Sequence, residues 1–266
     1  MKKIICLALA VLMIAATMVV FSACSKEEEL VMATNAAFPP YEYKDDNGEF
    51  AGIDIEIAQA IADKLGMKLK IEDVDFDTIV AGVESGKFTM GMAGMTVTEE
   101  RKQSVNFSTT YAKGIQVVIV KEGSTITCAD DFFNLDAEKN WVSLKDANTK
   151  VGVQQGTTGD IYASSAPEDW GFGEDNVIRY KTGADAIQAL KEDKVAAVII
   201  DNEPAKAFVA ANAGLKILEA TYADEDYAIC VNKENTELLE KINQALKELK
   251  EEGKLDEIVS KYIPAN

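Results

Sequence analysis

The feature that most restricts the fold is an alternation that runs through the chain from residue 30 onward. Short apolar runs take turns with longer stretches in which apolar residues recur every three to four positions. Residues 30–33 read as a strand. Ile53, Ile57, Ile61 and Leu65 then fall on one helix face, and Gly66 follows as a stop. Residues 68–74 alternate like a strand, and 79–85 read as a short helix closed by Gly86. A strand near 89–93 follows, and 114–120, 150–153 and 195–200 are strand-like too. Residues 182–193, 203–212 and 235–252 are helical, the last carrying Leu238, Leu239, Ile242, Leu246 and Leu249 before Gly253. Strands alternating with helices predict an α/β fold with mainly parallel sheets. Residues 122–148 break the pattern. They are polar and irregular, and read as an inserted loop.

The segment before residue 30 is of another kind. Met1, Lys2 and Lys3 form a basic start, residues 4–21 are apolar without a charge, and small residues lead to Cys24 before a charged run. This reads as a secretory signal peptide over 1–23, with a permanent transmembrane anchor as the alternative. Residues 24–29 would be a tether. Of the four cysteines, Cys128 and Cys230 lie in the body of the chain. In an exported protein they could pair, or be two small buried hydrophobes.

Composition removes several functions. The chain has no histidine, which excludes Ser-His-Asp and Cys-His nucleophiles and HExxH zinc sites. No metal or cofactor is expected. Asp and Glu outnumber Lys and Arg by 45 to 27, and a surface this acidic disfavours nucleic acid.

Ligands of open α/β sheets sit at the carboxyl ends of strands, in the loops and helix starts that follow. Three such places carry chemistry. Gly94, Met95, Thr96, Val97 and Thr98 precede Arg101. Gln154, Gln155, Gly156, Thr157 and Thr158 follow the strand at 150–153. Asp201 ends the apolar run at 195–200. Arg101 is either a solvated helix residue or a forked clamp for a carboxylate. Asp201 is either a helix N-cap or an acceptor for an ammonium. Phe38, in Phe38-Pro39-Pro40-Tyr41, is either core or a flat apolar wall.

Taken together these blocks resemble one family. Residues 35–43, Gly52-Ile53-Asp54-Ile55, residues 94–111, Gln155-Gly156-Thr157-Thr158-Gly159 and Asp201-Asn202-Glu203-Pro204 follow in order across residues 30–263. They resemble the polar amino-acid-binding proteins of ABC importers, the family-3 extracellular solute-binding proteins. The small residues before Cys24 resemble a lipobox, whose Cys would be lipidated.

The resemblance implies a two-lobed clamshell of the type II periplasmic-binding-protein kind. Lobe 1 would hold 30–110 and 228–266, lobe 2 would hold 116–222, and 111–115 with 223–227 would form the hinge. Arg101 would grip the α-carboxylate of a free L-amino acid, with the Thr96 hydroxyl and the Thr158 amide. Asp201 and the Gly94 carbonyl would take the α-ammonium. Phe38 and Phe76 would sandwich the side chain, Asn35 and Gln154 would face its far end, and Met95 would adjoin the site. Asn35 offers no charge, which leans toward a neutral polar ligand such as glutamine over a basic one. The expected partners are that amino acid and the membrane permease of an ABC importer. The expected location is the outer face of the bacterial cytoplasmic membrane, or the periplasm, anchored by lipid at Cys24. Two rivals use the same scaffold: a dehydratase of small carboxylic acids, and a lipoprotein that senses a ligand for a membrane receptor.

Overall fold

Two separate sheets organise the chain, and each grows out of the alternation in the sequence. The computed structural model describes residues 28–218 and 223–263; the leader, Cys24 and the start of the tether lie outside them. The first sheet contains β1 (Glu29–Thr34), β2 (Lys68–Asp73), β3 (Met90–Gly91), β4 (Val105–Phe107) and, from far along the chain, a strand at Cys230–Asn232. The second contains β5 (Ala112–Lys121), β6 (Val151–Gln154), β7 (Val177–Tyr180), β8 (Ala197–Asp201) and β9 (Leu215–Ile217), joined by β10 (Ala223–Tyr227). The strand at Cys230–Asn232 is β11.

Spatial order in the first sheet is β2-β1-β3-β11-β4. β1 runs parallel to β2 and β3, while β11 is antiparallel to β3 and β4. The second sheet has the order β7-β6-β8-β5-β9. Its β6 is parallel to β7 and β8, and β5 is antiparallel to β8 and β9. Each sheet thus mixes a parallel βαβ part with a returning strand, and each is the floor of one lobe.

Helix α1 (Ile53–Leu65) shows why the first lobe holds together. Ile53, Ile57 and Ile61 are fully buried on one face, and Gly66 ends the helix in the left-handed conformation. That face packs with Leu30 and Met32 of β1 and with Ile242, Leu246 and Leu249 of the helix at Thr236–Glu251. Each large aliphatic side chain so buried contributes about 1.5–3 kcal/mol. Close packing also needs small residues. A Cβ on Gly91 would stand 2.6 Å from both Cys230 Sγ and Ile79 Cγ2.

β5 and β10 cross between the lobes. They pair antiparallel from Ala112 opposite Tyr227 to Gln116 opposite Ala223. β5 continues into the second sheet, and β10 leads to β11 in the first. Gly114 makes room for the Tyr227 ring, which would collide with any Cβ there.

The stretch 122–148 departs from its reading as an inserted loop. It holds a short 3-10 helix at Ala129–Phe132 and an antiparallel hairpin of Phe133–Leu135 with Trp141–Leu144. Phe133 stacks on Trp141 at 3.9 Å, and Phe132 and Phe172 complete a buried aromatic cluster in lobe 2. Phe132, Phe133 and Trp141 follow neither a strand nor a helix period, so they do not stand out among polar neighbours. Cys128 and Cys230 are both free thiols. Burial of Cys230 in the first sheet pushes its thiol up to about 12.

Candidate functional site

The carboxyl ends of β3, β6 and β8 face one another between the lobes. Arg101 opens a 3-10 turn, Arg101–Gln103, and only 8% of it is exposed. It is therefore no solvated helix residue. Nη1 donates to the Thr96 carbonyl at 2.7 Å and Nη2 donates across the cleft to the Gly156 carbonyl at 2.9 Å. Its guanidinium lies over the Phe76 ring, 5.4 Å from the centroid. Burial draws its pKa down and the Glu225 charge opposes that; the group stays cationic at neutral pH. A guanidinium carries five N–H donors, so two carbonyls leave part of the fork for a further acceptor.

Asp201 ends β8 and stands at the N-cap of the helix at Asn202–Ala211, yet its side chain makes no cap hydrogen bond. Instead its Oδ1 accepts from the hydroxyl of Tyr227 on β10. The side chain is fully enclosed, and burial, then the nearby Glu225 charge, raises its pKa from 3.8 to about 7. A carboxylate that is costly to ionise where it stands is one that a cation would relieve.

Asn35 and Gln154 meet directly. Gln154 Nε2 donates to Asn35 Oδ1 at 2.9 Å and to the Lys181 carbonyl at 3.2 Å, and Asn35 Nδ2 donates to the Val74 carbonyl at 2.8 Å. At the lip, Lys181 of lobe 2 pairs with Asp75 of lobe 1 at 2.8 Å. Phe38 and Phe76 are both buried against this space. Thr157 caps the helix at Thr158–Ser164 by accepting from Asp160 N, and the Thr158 hydroxyl accepts from Gln116 Nε2 at 3.4 Å.

Nine of the ten expected residues line one space: Asn35, Phe38, Phe76, Gly94, Thr96, Arg101, Gln154, Thr158 and Asp201. The space is about 10 Å³, room for about one water. The lobes therefore stand nearly shut. Met95 is the exception. Its side chain is fully buried in the lobe 1 core with Ile79, Val83 and Val105, because it faces away from the cleft between Gly94 and Thr96. Ala93, Thr157 and Glu42 line the space without having been expected.

Glu42 belongs to a buried acid layer that sequence reasoning missed. It is wholly enclosed beside Asp54, and burial together with Asp54 holds its carboxyl well above the usual range. Burial and the neighbouring Asp54 charge both disfavour ionisation of Glu42. Asp54 Oδ2 accepts from Gly94 N at 2.8 Å and from the Tyr111 hydroxyl at 2.9 Å, and burial raises its pKa from 3.8 to about 6. The only available signal was Asp54 sitting among the apolar helix residues Ile53, Ile55 and Ile57.

A two-lobed α/β receptor with a lined interlobe cleft is the architecture of a solute-binding protein, and comparison with known chains agrees. Residues 30–265 match the model for bacterial extracellular solute-binding proteins, family 3. The chain belongs to that family. It is 29% identical to the arginine-binding extracellular protein ArtP of Bacillus subtilis (strain 168), over 90% of this chain and 88% of ArtP. Among solved structures, an ancestral arginine-binding protein bound to arginine is 40% identical, with a TM-score of 0.78 over 89% of this chain and 98% of that one. An ancestral arginine-binding protein bound to glutamine is 39% identical, with a TM-score of 0.78 over 90% of this chain and 99% of that one.

Proposed function

We propose that this chain captures one free polar L-amino acid outside the cytoplasm and delivers it to the membrane permease of an ABC importer. One observation carries the reading. Arg101 from lobe 1 and Asp201 from lobe 2 are buried, opposite in charge, and line the same space, and neither has a salt bridge among the described residues. A zwitterion matches both at once. The α-carboxylate goes to Arg101, with the Thr96 hydroxyl and the Thr158 amide. The α-ammonium goes to Asp201 and the Gly94 carbonyl. Because the two charges belong to different lobes, the ligand binds the closed form far better than the open one, which is the condition for closure on capture.

Phe38 and Phe76 flank the side chain, and the Asn35 and Gln154 amides suit a polar terminus. ArtP is named for arginine, and of the two similar ancestral arginine-binding structures one is bound to arginine and the other to glutamine, which supports a frame able to take a cation or a neutral amide. The uncharged Asn35 favours the neutral choice. Lipidation of Cys24 completes the reading by holding the receptor beside its permease. Titration calorimetry of residues 24–266 against the standard L-amino acids tests it. Saturable one-to-one binding of a polar amino acid is expected, and no binding by any of them refutes it.

A further inference from the structure

The cleft holds more buried acid than an amino-acid head group uses. Glu225 lies on β10 two residues before Tyr227, so strand alternation sends both side chains to one face. It is 6% exposed. Its Oε2 accepts from the Thr96 hydroxyl at 2.9 Å and from Gln116 Nε2 at 3.0 Å. The Tyr162 hydroxyl of the helix at Thr158–Ser164 also reaches it. Among charges, Glu225 acts most strongly both on Arg101 and on Asp201. Its charge therefore reaches both ends of the head-group site although it does not line the cavity.

The charge balance follows. Arg101 is the single buried cation among the described residues. Asp201 and Glu225 stand against it, and Glu42 and Asp54 are further acids buried nearby. A zwitterion contributes no net charge and leaves the cleft in anionic excess when it shuts. A ligand with a cationic side chain cancels part of that excess, and uncompensated buried charge is what closure must avoid.

We propose that Glu225 is a charge-selecting residue of the cleft, raising the affinity of amino acids with a cationic side chain relative to neutral ones. The inference rests on the amino-acid reading above and deepens it. It opposes the lean set by Asn35. Asn35 acts by contact at the far end of the ligand, and Glu225 acts through the field of a dry cleft. Facing Glu225 are Arg101, Asp201, Tyr162, Tyr227, Thr96 and Gln116, and Arg101 alone among them is cationic.

The test is calorimetric titration of the wild type, Glu225→Gln and Glu225→Asp with L-arginine, L-lysine and L-glutamine at neutral pH. Glu225→Gln should lower the arginine-to-glutamine affinity ratio by about tenfold, and Glu225→Asp should hold it within about twofold. An equal loss for both ligands in Glu225→Gln makes the residue a scaffold only and overturns the proposal. So does a wild type that takes L-glutamine and neither cation. Should Glu225→Gln fail to fold, the wild type still answers through titrations in buffers of different ionisation enthalpy. Arginine should then expel more protons from the acid cluster than glutamine does, and equal numbers overturn the proposal. A wild type that binds no amino acid overturns the underlying reading, and this inference with it.

Discussion

Replacing Asp201 with Asn should make the protein more stable and less able to bind. In the folded chain Asp201 has its pKa raised from 3.8 to about 7, first by burial and then by Glu225. An acid with a raised folded value holds its proton in the folded state between those two pH values, after the unfolded chain has lost it. Stability therefore falls as pH rises from about 4 to about 7 and is level above that. The gap of about three pH units, at about 1.4 kcal/mol each, sets a ceiling of about 4 kcal/mol on what ionising Asp201 costs at pH 8. Asn keeps the acceptor for the Tyr227 hydroxyl and carries no charge, so Asp201→Asn should recover much of that cost at pH 8 and little at pH 4. The same change removes the partner of the ligand ammonium and should weaken amino-acid binding by at least about 2 kcal/mol. Denaturant unfolding of the ligand-free wild type and variant across pH 4–8 measures the first effect, and calorimetry the second. An Asp201→Asn protein less stable than wild type at pH 8, or equal in its pH slope, would refute the reasoning.

Arg101→Lys should also cost at least about 2 kcal/mol of ligand affinity, because an ammonium lacks the planar fork; titration at wild-type strength would remove Arg101 from the clamp. Glu42→Gln should keep or raise stability at pH 8, since burial and Asp54 disfavour a charge on Glu42, whereas Glu42→Ala should lose about 2–3 kcal/mol by leaving a void beside Asp54; comparative melts decide. Cys24→Ser should release the chain from the membrane fraction into the soluble one, read by detergent-phase partition. Persistence in the membrane fraction would refute the lipid anchor.

How much of this was legible depended on what each residue needs from its neighbours. Ile53, Ile57 and Ile61 announced α1 because their spacing alone defines a face. Gly66 announced its end because few other residues tolerate that conformation. Asp201 stood out by ending a strand, and Arg101 by closing the Gly- and Thr-containing loop that follows one. Glu42, Asp54 and Glu225 did not, because in a chain with 45 acids a further acid looks like surface, and only the fold reveals that these are enclosed. Tyr227 was hidden for a related reason: its partner Asp201 is 26 residues away and meets it only once β10 has crossed. The Met95 side chain turns into the lobe 1 core. Adjacency to Gly94 and Thr96 said nothing about which way its side chain would turn.

The order of strands has a bearing on how the chain is made and moved. β11 lies between β3 and β4, yet in the sequence about 140 residues separate it from β3 and about 120 from β4. A growing or threading chain can therefore complete the middle compartment from its own contiguous stretch while the first compartment waits with an open slot. Residue 232 must arrive before that slot is filled, so a late truncation would unseam the half of the molecule that was begun first, and export could proceed while that half is still pliable.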